Sequence, residues 1–202
     1  HINTHKTFAT PHGGGGPGAG PVCVNKKLEA YLPVPLISYD GSKYRLNYDR
    51  PKSIGKVKGF YGNIGILLRT YAYILALGED GLKEASELSV LNANYIKKKV
   101  EKIKGYSLKY SPSTPRKHEV VFSASPMLQD TGISALDVSK NLLDYGVHAP
   151  TNYFPLIISE ALMIEPTETE TMEDLDKFIE ALKIISDKAY TTPEDLKKGP
   201  KN

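Results

Sequence analysis

A lysine set between a histidine and a threonine, with a run of glycines close behind it, is the part of this sequence best suited to chemistry. The stretch reads Thr4-His5-Lys6-Thr7-Phe8, then Pro11-His12-Gly13-Gly14-Gly15-Gly16-Pro17-Gly18. A lysine acts as a nucleophile only after losing its proton, and an ordinary lysine, with a pKa of ~10.4, is almost fully charged at neutral pH. Desolvation or a neighbouring cation is what makes that proton easier to lose. Covalent attachment to the aldehyde of a cofactor is the usual use of such a lysine. Glycines suit that use, because a residue without Cβ lets the backbone approach a ligand closely and takes positive φ freely. The run is ambiguous on its own. Gly13, Gly15 and Gly18 spell G-x-G-x-x-G, but the dinucleotide fingerprint has to open a helix after a strand. Here Pro17 and Pro21 lead instead into Val22-Cys23-Val24, which reads as a strand. The Gly-Lys-Ser/Thr ending of a phosphate loop is missing. A purely structural loop and a loop that admits a ligand both stay open.

Other candidates are weaker. His12 stands at the mouth of the glycine run, where it either shapes the loop or approaches a substrate carboxylate. His118 and His148 are not at metal-ligand spacing and no Cys/His cluster points to zinc, so no metal site is expected. The basic loop with Arg50, Lys52, Lys56 and Lys58, and the Lys97-Lys98-Lys99 run, read as solvated faces. A formal net charge of +3 on 202 residues is too small to argue for nucleic acid, and 40% hydrophobic with 24% charged residues is ordinary for a globular protein. The single cysteine, Cys23, is expected as a buried core thiol. The sequence shows no basic-then-apolar leader and no apolar run of membrane-spanning length, so no membrane partner is expected and the cytoplasm is the default compartment.

The elements that must position these residues follow in order. Ile37-Ser38-Tyr39, Asp40-Gly41 and Lys43-Tyr44-Arg45-Leu46 predict a hairpin with a type I′ turn. Asn63 opens a helix that Gly78 ends, and a second helix runs from about Gly81 to Lys104. Strands are expected at 106–110, 119–123, 156–158 and 162–164, with helices starting at Ser134 and Thr171. The order suggests a small α+β domain, and the polar residues after Tyr190 read as a tail.

Several of these strings together resemble one family. Thr4-His5-Lys6-Thr7 is similar to the Schiff-base segment of fold-type I pyridoxal-phosphate enzymes. The likeness extends along the longer run from Lys6 through Gly18 and continues at Phe60-Tyr61-Gly62-Asn63, Leu91-Asn92-Ala93-Asn94-Tyr95, His118-Glu119, Tyr145-Gly146-Val147-His148-Ala149-Pro150-Thr151 and Glu165-Pro166-Thr167-Glu168. Together they resemble the P-protein of the glycine cleavage system, glycine dehydrogenase (decarboxylating), in the lysine-bearing second subunit of its two-chain form. The likeness covers nearly all of residues 1–190.

What the resemblance implies is specific. The fold would be α/β, a fold-type I pyridoxal-phosphate-dependent transferase. Residues 1–104 would end the large cofactor-binding domain with its connecting helices, 105–190 would form a small C-terminal α+β domain, and 191–202 a mobile tail. Pyridoxal 5'-phosphate would sit as a covalent aldimine on Lys6, the catalytic residue, with His5 and Thr4 at the cofactor. His12 and Gly13, Gly14, Gly15 and Gly16 would form the substrate loop. The reaction would be decarboxylation of glycine, with the aminomethyl group passing to the lipoyl arm of the H-protein. The other P-protein subunit would complete a two plus two assembly. In the family about half of the subunit precedes this lysine, so the chain is expected to be a C-terminal portion, inactive alone. Two alternatives remain: another fold-type I enzyme acting on amino acids, and a non-catalytic portion of the subunit.

Overall fold

The chain divides into two units, His1–Glu79 and Asp80–Asn202. The computed structural model describes residues 1–8, 10 and 18–201. The expected substrate loop, His12 with Gly13, Gly14, Gly15 and Gly16, lies outside the described residues.

In the first unit the N-terminal segment forms a single helical turn, α1 (Thr4–Thr7). The chain then returns alongside it: Ile2 N–H donates to Pro21 O and Thr4 N–H to Ala19 O, each at 3.2 Å. Gly20 is required between those two contacts, since a Cβ there would lie 2.9 Å from Ile2 O. Past this clasp the expected strand at Val22–Val24 does not form, and Cys23 is exposed rather than buried. β-propensity is a preference for a pleated, half-buried surface, and both sheets found among the described residues lie elsewhere in the chain.

The hairpin is present as β1 (Leu36–Tyr39) and β2 (Tyr44–Asn47), antiparallel with Ile37 opposite Leu46 and Tyr39 opposite Tyr44. Its turn is longer than a two-residue type I′ turn. Asp40 explains why: its carboxylate accepts from the backbone N–H groups of Ser42 and Lys43, both at 3.0 Å, while its own N–H donates to Lys43 O. Those backbone donors, Lys43 first, hold the Asp40 carboxyl below the usual carboxylate range. Asn63 then caps α2 (Ile64–Val100) by accepting from Ile66 N–H, and the helix breaks at Gly78, φ 64° and ψ −167°, as the sequence predicts. That conformation is cheap only for glycine.

The second unit holds the packed core. Its three strands, β3 (Val120–Ser123), β4 (Thr151–Asn152) and β5 (Ala161–Ile164), lie antiparallel in the order β3-β5-β4. The register sets Val120 against Ile164 and Phe122 against Leu162, so these four side chains share one face. That face is buried with Ile96 and Val100 of α2 and with residues of α4 (Ala135–Leu143) and α5 (Met172–Thr191), among them Val138, Leu142, Leu182 and Ile185. Both helices start where the sequence places them. Ser134 makes a reciprocal capping box with Asp137, and the Thr171 hydroxyl accepts from Asp174 N–H. A further helix, α3 (Ser125–Thr131), was not expected. The strand expected at 106–110 is reduced to a bridge from Ser107 to Ser123, and 156–158 is turn rather than strand.

Along the chain the two compact units divide after Glu79, and Ala93, Ile96 and Val100 are buried residues of the second. Pro193–Leu196 forms α6, Leu196 is 3% exposed, Asn141 Nδ2 donates to Leu196 O at 2.8 Å, and Lys201 N–H donates to the Asp144 carboxylate at 2.8 Å.

Leu196→Ala should therefore destabilise the protein by about 2–5 kcal/mol, the usual cost of a buried leucine truncation; urea unfolding measures it, and a change below about 0.5 kcal/mol would place the tail back in solvent. The helix cap on α5 gives a pH-dependent prediction. The Thr171 hydroxyl and N–H lower the Asp174 carboxyl below its ordinary value. A depressed folded-state pKa contributes stability that is complete above the unfolded value of ~3.9 and is lost as pH falls through the folded one. Thr171→Ala should make the melting temperature less dependent on pH below about 4, with little change in that slope near neutrality.

Candidate functional site

Lys6 sits on α1, exposed, with its backbone N–H donating to Asn3 O at 3.2 Å. The turn is held from two sides. Phe8, just past its end, meets the Tyr73 ring edge-on at 6.5 Å between centroids. Thr4, at its start, is 2% exposed, and its hydroxyl donates to Ala19 O at 2.8 Å beside the backbone bond to the same oxygen. Two donors from one residue on one carbonyl fix the orientation of the turn that carries Lys6. Expected among the cofactor residues, Thr4 thus commits its hydroxyl proton to Ala19 O. His5 is half-buried on the same turn.

Pyridoxal 5'-phosphate needs a reachable primary amine and donors for an anionic phosphate. The residues present fit that requirement in two respects. Lys6 is open to solvent, and four residues further on the Thr10 hydroxyl is buried with no hydrogen-bond partner, a donor without an acceptor. Thr10 carries no signal in the sequence that marks it off from any other threonine.

A separate cleft of about 700 Å³ lies wholly within the second unit, lined by Tyr145, His148, Glu165, Asp174 and Phe178 among others. The Gly146–Thr151 turn and the Glu165-Pro166 pair, two of the strings that the sequence singles out, come together in its wall. His148 is thus a cleft-wall residue.

At the end of the β3–β5 ladder the register places Glu119 opposite Glu165, with His118 Nε2 3.9 Å from Glu119 Oε2 and 3.5 Å from Glu165 Oε1. Among the described residues this is the group of ligand-type side chains close enough together to hold a cation. Sequence spacing does not reveal it, because Glu165 arrives through strand pairing. The three groups are at the surface, where solvent screens their interaction. Arg116 donates to the carbonyl oxygens of Tyr110 and Thr114. Among the described residues no helix is long and apolar enough to cross a membrane.

Comparison with known proteins places this geometry in context. The sequence profile of the glycine dehydrogenase C-terminal domain family matches residues 85–199. A protein of Pyrococcus furiosus named "Probable glycine dehydrogenase (decarboxylating) subunit 2" is 60% identical over 204 residues, covering 100% of this chain and 40% of that protein. A protein of the same name from Caldanaerobacter subterraneus is 55% identical over 203 residues, again 100% of this chain and 41% of the relative. The chain thus spans well under half the length of these relatives. A crystal structure of glycine decarboxylase (P-protein) of the glycine cleavage system, in inhibitor-bound form, superposes with a TM-score of 0.69 at 21% identity, over 89% of this chain and 41% of that one. The fold is therefore the α/β fold of that enzyme, over the region that ends in the C-terminal α+β domain. This chain belongs to the glycine dehydrogenase C-terminal domain family.

Proposed function

We propose that this chain supplies the cofactor-bearing lysine, Lys6, of a pyridoxal 5'-phosphate-dependent glycine dehydrogenase (decarboxylating). The observation that carries the reading is the alignment of the whole chain, Lys6 included, with relatives of that name at up to 60% identity. When bound, the cofactor supplies an electron sink for the electrons left behind as carbon dioxide departs from glycine.

The roles of this chain's residues follow from their places. Lys6 Nζ is the primary amine that would hold the cofactor through its aldehyde carbon, and when not so engaged it would hold or pass a proton at that position. Thr4 holds the turn on Ala19 O and so fixes where Nζ can reach. His5, on the same turn, is assigned to the cofactor phosphate. His12 and Gly13, Gly14, Gly15 and Gly16 are assigned to the approach of substrate. The aminomethyl group passes to the lipoyl arm of the H-protein, whose disulfide is reduced. The second P-protein subunit joins in a two plus two assembly, in the cytoplasm. The partner of the ring nitrogen and the wall that stacks on the ring are assigned to the portion of the relatives outside the aligned 40%.

Two outcomes are expected in the complete enzyme. Lys6→Arg keeps the charge but cannot hold an aldehyde, and should lower carbon exchange between glycine and bicarbonate by at least ~10³-fold; exchange within about tenfold of wild type would sink the assignment. Thr4→Val removes one hydrogen bond worth about 1 kcal/mol and should speed amide hydrogen exchange at Phe8, with Thr4→Ser restoring protection. Unchanged exchange in the valine variant would mean that the clasp does not hold the turn.

A further inference from the structure

Two asparagines on one helix hold the two segments that bring His118, Glu119 and Glu165 together. Asn94 of α2 accepts from the Arg116 backbone N–H at 2.8 Å and donates through Nδ2 to Arg116 O at 2.7 Å, two residues before His118. On the same helix Asn92 Nδ2 donates to Thr167 O at 2.8 Å, two residues after Glu165. The β3–β5 register closes the frame, pairing Val120 with Ile164 and so setting Glu119 opposite Glu165. The backbone that carries the three side chains is therefore fixed by the helix on one side and the ladder on the other. Metal ligands depend on outer support of this kind.

The side-chain atoms stand at spacings that suit an ion better than a direct pair. His118 Nε2 is 3.5 Å from Glu165 Oε1 and 3.9 Å from Glu119 Oε2. Both exceed the ~2.7–3.2 Å of an N–H···O hydrogen bond. One ligand atom from each of the three residues lies within 4.8 Å of the other two. Bonds of ~2.0–2.2 Å from zinc to nitrogen and oxygen set tetrahedral ligands ~3.3–3.6 Å apart. The shorter separation falls in that range and the longer is a few tenths of an ångström outside it. Two carboxylates directly opposite each other across an antiparallel pair repel, and a cation between them removes that repulsion. The three groups are at the surface, so an ion reaches them without any opening of the fold.

We propose that His118, Glu119 and Glu165 form a binding site for a divalent transition-metal ion of the zinc class. The imidazole selects the class, because calcium and magnesium favour oxygen shells whereas nitrogen with carboxylate oxygen suits zinc. Three protein ligands leave a position open for water or an anionic oxygen. Glu165 also lines the cleft of the second unit, so the ion lies at that cleft's rim. Its effect on the protein is to tie the segment before β3 to the end of β5. The site stands apart from the reading of Lys6, which belongs to the other unit.

The test uses the complete subunit without an affinity tag, and zinc chloride as the probe. Titration calorimetry should show one zinc per chain that His118→Gln and Glu165→Gln each weaken at least ~10-fold. Cys23→Ser, which removes the exposed thiol of the first unit, should leave that affinity unchanged. Zinc at about a hundredfold excess over its Kd should raise the melting temperature of the wild type and of neither ligand variant. X-ray absorption at the zinc edge reads the wild-type shell with no variant at all, and should show one imidazole nitrogen with oxygen in the remaining positions. Magnesium in about hundredfold excess should not displace the zinc. No zinc bound by the wild type would overturn the proposal, as would equal affinity in the two ligand variants or sulfur in the shell. Displacement by magnesium would overturn the assignment to the zinc class.

Discussion

The carbonyl oxygen of Ala19 is the constraint on which the candidate site depends. It accepts two hydrogen bonds from one residue, the backbone N–H and the hydroxyl of Thr4. A backbone bond alone would fix the spacing of the two segments. Adding the side chain from the same residue also fixes the rotation of the turn about that contact, and Lys6 projects from that turn. The approach is close enough that residue 20 must be glycine, since any Cβ would press on Ile2 O. A lysine placed this way has a defined origin and a free end, which is what covalent attachment and release of one cofactor require.

The two units differ in how they are held together. Among the described residues, nearly every buried apolar side chain belongs to the second unit, with Ile66 the exception in the first. In the second unit the β3–β5 register aligns Val120, Phe122, Leu162 and Ile164 into one face that the helices cover. The first unit instead leaves Ile37, Tyr39, Tyr44, Leu46, Phe60 and Tyr71 half or more exposed. Its hairpin therefore shows an aromatic and aliphatic face, an unusual amount of apolar surface for groups so close together. A two-stranded ribbon is marginal by itself, and the Asp40 turn, with three hydrogen bonds converging on one residue, supplies local order where burial does not.

Much of this was legible in the sequence where the signal is local. Ser134 and Asp137, Thr171 and Asp174, and the helix-breaking Gly78 act on their immediate neighbours, and the elements start or stop where those residues say. The hairpin was legible too, but the Asp-Gly pair promised a two-residue turn that the Asp40 carboxylate stretched by capturing two N–H groups. Non-local choices were not readable. Val22-Cys23-Val24 has the composition of a strand and no strand beside it; Leu196 looks like tail and is held by contacts with α4 and α5. The opposition of Glu119 and Glu165 depends on strand register, which spacing along the chain does not disclose. At the site, Lys6 stood out because lysine, histidine and glycines cluster there, whereas only the family resemblance marked Thr4 and nothing marked Thr10. One hydroxyl is satisfied and the other is not, a difference that only the folded chain contains.

The central claim is that Lys6, and no other lysine of this chain, is the covalent anchor of the cofactor. The most direct measurement is reduction of the complete, cofactor-loaded enzyme with borohydride, followed by proteolysis and mass spectrometry of the labelled peptide. The account predicts one pyridoxyl group per subunit, on the peptide that contains His5-Lys6-Thr7. A label on any other lysine, or none on Lys6 while the enzyme is fully active, would contradict it.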